Sequence, residues 1–145
     1  MKIKLIHSEY NEETGRSYVK IATDCGIFDG EAFLHPDDAK FASKYAGCEY
    51  AETRALIKYM SRKAQNAKVK HKTLTDLQHE INSRKYHNEN SIEGKLLQKY
   101  IYTAQDDYTV FRNNVKTLKE FLKKSIDDRD AYQQKMMLKD KQSEN

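Results

Sequence analysis

Long apolar runs are missing from this sequence: no stretch exceeds three residues, Ala55 to Ile57 being one, and the mean hydropathy is −0.95. That excludes a membrane-spanning helix. Met1-Lys2-Ile3-Lys4 has no apolar stretch behind it, so no signal peptide is read there either. Two cysteines, Cys25 and Cys48, are too few for a disulfide framework. A reduced, cytoplasmic protein is expected, with both thiols acting as small buried hydrophobes. The single proline, Pro36, and the length of 145 residues fit one domain over residues 1–145. The five glycines (15, 26, 30, 47 and 94) never cluster, which rules out a glycine-rich phosphate loop. No nucleophile elbow and no paired-histidine zinc motif is present. His71, His79 and His87 fall eight residues apart, which is no metal-ligand spacing, and Asp127, Asp128 and Asp130 do not converge on a straight helix. No catalytic residue, metal or cofactor is therefore expected, and the protein is not read as an enzyme. Large aliphatic and phenyl side chains are also few: Leu, Ile, Val and Phe total 28 of 145. Ten tyrosines add apolar area, and partner subunits are expected to add more.

What is abundant is charge, unevenly placed. Residues 1–52 carry six Lys/Arg against ten Asp/Glu, and residues 76–145 carry 13 against 12. Between Thr53 and Thr75 there are seven basic residues (Arg54, Lys58, Arg62, Lys63, Lys68, Lys70, Lys72) and no acid, so this segment supplies the net charge of +4. Such a block is either a solvated helix face or an anion site, where a phosphate-bearing ligand relieves the mutual repulsion.

The pattern predicts an α+β chain. Ile3 and Leu5 alternate with lysines, residues 11–15 supply turn chemistry, and Val19 and Ile21 alternate with Tyr18 and Lys20; a turn at residues 24–26 leads into 27–34. Residues 1–34 thus read as a small antiparallel β-meander. His35-Pro36-Asp37-Asp38 opens a short helix that Gly47 interrupts. A second helix is expected over about 49–67, with Thr53, Ile57, Met60, Ala64 and Ala67 on one stripe. Residues 69–72 read as a linker, 73–81 as a brief helix and 82–90 as a loop. Asn90 with Glu93 has the pattern of a capping box that starts a long helix. Along it Leu97, Ile101, Ala104, Tyr108, Phe111, Val115, Leu118 and Leu122 follow alternating spacings of four and three, a coiled-coil seam, continued by Ser125, Arg129, Tyr132 and Met136. The helical part spans 36–138 and ends in a disordered tail at 139–145. Part of the seam is expected to be buried against another copy of the chain, the alternative being an intramolecular helical hairpin.

Two places suggest ligand chemistry. The loop Ser83-Arg84-Lys85-Tyr86-His87-Asn88 puts a guanidinium, a ring, an imidazole and a carboxamide beside a helix N-terminus. Tyr86 or His87 would stack on a base, Asn88 would read its edge and Arg84 would fork onto a phosphate. Arg112, among the seam residues, would need an anionic partner. With Arg54, Arg62 and Lys63 of the basic segment these are the candidate ligand-binding residues; an ordinary polar loop is the alternative.

The stretch from Phe28 to Asp38, with its His35-Pro36-Asp37-Asp38 helix opening, and the stretch Ala46-Gly47-Cys48-Glu49-Tyr50-Ala51 through Lys58 resemble small proteins of tailed phages and prophages. The chain is similar to the Thoeris anti-defence sponges that have a small N-terminal sheet and two long helices. The resemblance implies a homo-oligomer, a hexamer, acting in the cytoplasm of an infected bacterial host. It also implies sequestration, without cleavage, of cyclic ADP-ribose isomers and in some members cyclic trinucleotides. Arg54 is the one basic site residue inside a matching motif. Two other classes compete: a phage structural or assembly coiled coil, and a nucleic-acid-binding regulator contacting phosphates through 53–75. The low net charge, with aromatics in the presumed core, speaks against a nucleic-acid polymer and nothing indicates a membrane.

Overall fold

The computed structural model describes residues 2–33, 44–84 and 91–143. It shows a three-stranded antiparallel sheet in the order β1-β2-β3, formed by β1 (Lys4–Asn11), β2 (Arg16–Thr23) and β3 (Gly26–Phe33). Two helices follow, α1 (Lys44–Asn82) and α2 (Ile92–Ser143). The α+β layout read from the sequence is the one observed. No helix is long and apolar enough to cross a membrane among the described residues. The contacts group into two compact units, Met1–Tyr59 with Lys116–Asn145 (the sheet unit), and Met60–Val115 (the hairpin unit).

In the sheet unit both turns are built by side-chain oxygens. Asn11 Oδ1 accepts the N–H groups of Glu13 (2.9 Å) and Thr14 (3.2 Å), and Gly15 closes the turn at φ 68° with its N–H on Asn11 O at 2.8 Å. At the second turn Thr23 Oγ1 accepts from Cys25 N (3.1 Å) and donates to Gly26 O (2.7 Å). Period-two burial in β2 sends Ser17, Val19 and Ile21 inward, with Gly30 and Ala32 of β3 on the same face. Small residues let α1 lie close on this face: Gly30 meets the α1 backbone at Ala51 and Ala55, Gly47 meets Ser17, and Ala51, Ala55 and Tyr59 are fully buried. The Tyr59 hydroxyl donates to Asp24 Oδ1 at 2.5 Å, and its ring meets Phe28 at 5.7 Å.

The outer face of the sheet carries ion pairs, Arg16 with Glu31 and His7 with Glu9, alongside the exposed Ile27 and Phe33 of β3. Arg54 of α1 donates to the Glu31 carbonyl (2.6 Å), and Lys58 reaches Asp29 Oδ1 (2.8 Å). Two long cations thus occupy groups along edge strand β3, a common way of blunting a sheet edge. Tyr18 OH donates to the other Asp29 oxygen at 3.1 Å. The Lys58 bond, then the Tyr18 bond, holds the Asp29 carboxyl below its ordinary value of 3.8. A lowered folded pKa contributes stability above the unfolded value, and that contribution is lost as pH falls through the folded one. The wild-type Tm is therefore expected to fall more steeply than that of Asp29→Asn below about pH 4. Parallel pH profiles would show that this carboxylate is uncoupled from folding.

In the hairpin unit α1 and α2 run antiparallel: Lys63 Nζ lies 5.6 Å from the Phe111 ring centre, while Gln78 donates to Gln98 Oε1 at 2.6 Å. Ile101 and Ala104 of α2 and Met60, Ala64 and Ala67 of α1 are buried. Half-buried His71, Leu74, Gln78 and Ile81 continue the α1 stripe at the same four-and-three spacing. The seam from Leu97 to Val115, expected to be buried partly against another copy, packs here against α1 of the same chain.

Several boundaries differ from the sequence reading. Gly47 does not interrupt the helix, and the expected linker at 69–72 is helical, so the segments read as separate helices are one 39-residue α1. The Pro36 helix opening lies outside the described residues. Ser91 Oγ accepts Gly94 N–H at 3.1 Å at the start of α2, while Asn90, the expected capping residue, lies outside the described residues. The stripe passes from Arg129 to buried Gln133, leaving Tyr132 51% exposed, because a straight helix drifts from a strict heptad. The expected tail is helical as far as Ser143. Neither cysteine is in a disulfide, and both are only half-buried.

Candidate functional site

The sheet unit holds a cleft of about 240 Å³, and one of the sequence-predicted site residues, Arg54, lines it. All five elements contribute. β1 supplies Tyr10 and the end of β3 supplies Phe33; α1 brings Tyr50 and Arg54, one turn apart; α2 brings Arg129, Asp130 and Gln133. Spacings of four residues put Tyr50 with Arg54, and Arg129 with Gln133, on single helix faces. Gly15, Ser17 and Gly47 form part of the wall with no large side chain.

The polar groups are held rather than loose. Tyr50 OH donates to Ser125 O at 3.2 Å, tying α1 to α2 within this unit. Burial pushes the Tyr50 phenol up, with Arg129 opposing and the carboxylates of Glu49, Asp130 and Asp128 reinforcing, so it remains a protonated donor. Arg54 spends one N–H on the Glu31 carbonyl, and its fork has further donors. Arg129 lies 5.6 Å from the ring centre of Tyr132. Gln133 is buried at 8% exposure, whereas Phe33 is 67% exposed. Two guanidinium groups against one carboxylate leave the lining positive. The arrangement suits an anion with an attached ring: guanidinium forks for phosphate oxygens, aromatic rings for a base, and a carboxamide for its edge.

The other predicted residues lie elsewhere. Arg62, Lys63, Arg84 and Arg112 belong to the hairpin unit. There Lys63 sits over Phe111, which places it near the level of Arg112. Arg84 lies 21 residues beyond Lys63, roughly 30 Å along α1 and its end, and pairs with Glu80 at 3.5 Å. Arg112 is exposed, not buried among seam residues; it donates to the Tyr108 hydroxyl at 3.0 Å, four residues earlier on its own helix. Arg62 is exposed. Tyr86, His87 and Asn88 lie outside the described residues. Tyr10, Phe33, Tyr50, Arg129, Asp130 and Gln133 were not singled out from sequence as ligand residues, and the only local signal was the four-residue spacing of each helix pair.

No protein-family model matches the chain, and no curated protein or solved structure is similar enough to align with it. The functional reading therefore stands on the cleft and on the sequence.

Proposed function

We propose that the chain binds and holds, without cleaving, a cyclic nucleotide signal. A cyclic ADP-ribose isomer is the first candidate and a cyclic trinucleotide the second. In this reading it is a Thoeris-type anti-defence sponge, a homo-oligomer working in the cytoplasm of an infected bacterial host. The observation that carries the reading is the convergence of Arg54 and Arg129 with Tyr10, Tyr50 and Phe33 in one cleft. Arg54 also belongs to the motif on which the family resemblance rests. The cleft volume lies below the ~300–1,000 Å³ usual for drug-sized ligands, so one chain encloses one phosphate-ribose portion and a further copy covers the rest. Exposed Leu96, Tyr100 and Val110 on α2 supply apolar area for such contacts.

Calorimetric titration with cyclic ADP-ribose isomers tests this directly. Each charge-assisted hydrogen bond to a phosphate contributes about 1.5–3 kcal/mol. Arg54→Ala and Arg129→Ala are therefore each expected to weaken binding at least about tenfold. Ligand released from the wild type by heating should be recovered intact by mass spectrometry. A hydrolysed product would make the protein an enzyme. A wild type that binds neither ligand class would leave the structural-protein reading, for which the helical hairpin suffices.

A further inference from the structure

Asp130 does not fit a cleft built only for an anion. It is an exposed carboxylate beside Arg129, one turn before Gln133, on a lining whose other charged side chains are the two arginines. Near a bound phosphate it is repulsive at every distance. It takes part in no hydrogen bond or ion pair with another described residue, so it is not there to hold Arg54 or Arg129 in place. An ionised carboxylate only accepts hydrogen bonds, with room for two donors side by side. A ligand that presents an anion to the arginines and a pair of hydroxyls to Asp130 satisfies both. A ribose phosphate has that chemistry, and carboxylates are known acceptors for ribose hydroxyls.

Resting on the ligand reading above, we propose that Asp130 is the specificity residue of this cleft. It accepts hydrogen bonds from the vicinal hydroxyls of a ribose whose phosphate lies on Arg54 and Arg129. The site thereby prefers ribose phosphates to bare phosphate or pyrophosphate, and the repulsion it exerts on a bare anion is part of that preference. Gln133, on the same face of α2, is left for the base or the second sugar.

The test compares adenosine 5′-monophosphate with its 2′,3′-dideoxy analogue, which differ only in the diol, and adds inorganic pyrophosphate and cyclic ADP-ribose as separate arms. Affinities are measured calorimetrically on the full chain as wild type, Asp130→Asn and Asp130→Ala, with a melting curve for each. The wild type should prefer the ribonucleotide at least about tenfold, the effect of a hydrogen bond to a charged group. In Asp130→Ala the preference should collapse to within about threefold through loss of ribonucleotide affinity, while pyrophosphate binds as well as before or more tightly. Asp130→Asn should fall between the two. A preference that survives in Asp130→Ala overturns the assignment, and so does a wild type that binds both nucleotides equally; in either case the ligand reading stands. A wild type that binds no nucleotide in any arm, cyclic ADP-ribose included, overturns both.

Discussion

Gly30→Ala is expected to destabilise the sheet unit by about 3 kcal/mol and to lower its Tm by roughly 12–24 °C. The cause is not the backbone angle of Gly30 but the closeness of α1. A Cβ there would overlap the Ala51 carbonyl oxygen and stand 2.8 Å from the Ala55 nitrogen. Both are backbone atoms of a helix, so no rotamer change relieves the overlap and α1 must move off the sheet. Moving it uncovers Val19, Ile21 and Ala32, each buried to 5% exposure or less. Gly26→Ala separates this effect from conformational strain: Gly26 has φ 117° but open space around its missing Cβ. It should cost only about 1–2 kcal/mol. Thermal melts of the two variants decide. If Gly26→Ala is the more damaging, the close approach of β3 to α1 is not what holds the unit together.

That close approach also shows why parts of the fold were readable and others were not. The meander was legible because strand alternation, Asn11-to-Gly15 turn chemistry and the second turn at residues 24–26 are local signals. The first helical region divides in the sequence but not in the structure, because an isolated glycine such as Gly47 carries the local signature of a helix breaker. In the structure it is the contact residue facing Ser17, a role that depends on a strand thirty residues away. Likewise residues 69–72 carry two lysines and a histidine and have no apolar periodicity of their own. Their helicity follows from the stripe on either side, Ala67 before and Leu74 after, being packed against α2. The α2 seam was legible over eight positions, but one sequence repeat is satisfied equally by a second copy or by another helix of the same chain. Only the α1 stripe, with its own four-and-three spacing through 60, 64, 67, 71, 74, 78 and 81, distinguishes the two.

The candidate site was legible at one residue. Arg54 stood out through the basic segment and its motif. Tyr10 and Gln133 are 123 positions apart, and no local pattern announces that a strand end and a distant helix turn line one cleft. Basic density pointed toward the hairpin unit, where Arg62, Lys63, Arg84 and Arg112 lie, and charge density is a property of solvated helix faces as much as of sites. Arg129 fits the seam register, where it lies half-buried, and it also lines the cleft, so its sequence pattern marks it as packing before it marks it as ligand chemistry.

Ile101→Asp is expected to open the hairpin unit, with a loss of about 3–4 kcal/mol. Ile101 is 6% exposed, and the pairings Lys63 with Phe111 and Gln78 with Gln98 place it opposite Leu74 and Thr75 of α1. Leu74 offers a carboxylate nothing, and the Thr75 hydroxyl already donates to His71 O at 2.8 Å. The new charge is then buried without a partner, and the lost sec-butyl group leaves the neighbouring Ala104 with less to pack on. Two helical arms of some two dozen residues each are marginal alone in water, so loosening the seam should unwind them rather than leave two free helices. Circular dichroism should show reduced helix content at 25 °C, and limited proteolysis should cut first within 60–115. Tyr102→Asp, one residue along at a 59% exposed position, should leave both measurements unchanged. Light scattering supplies the contrary outcome: if Ile101→Asp lowers the molar mass while helix content and protease resistance stay intact, the seam joins separate copies in solution, and the pairing of α1 with α2 in one chain is not the one that matters there.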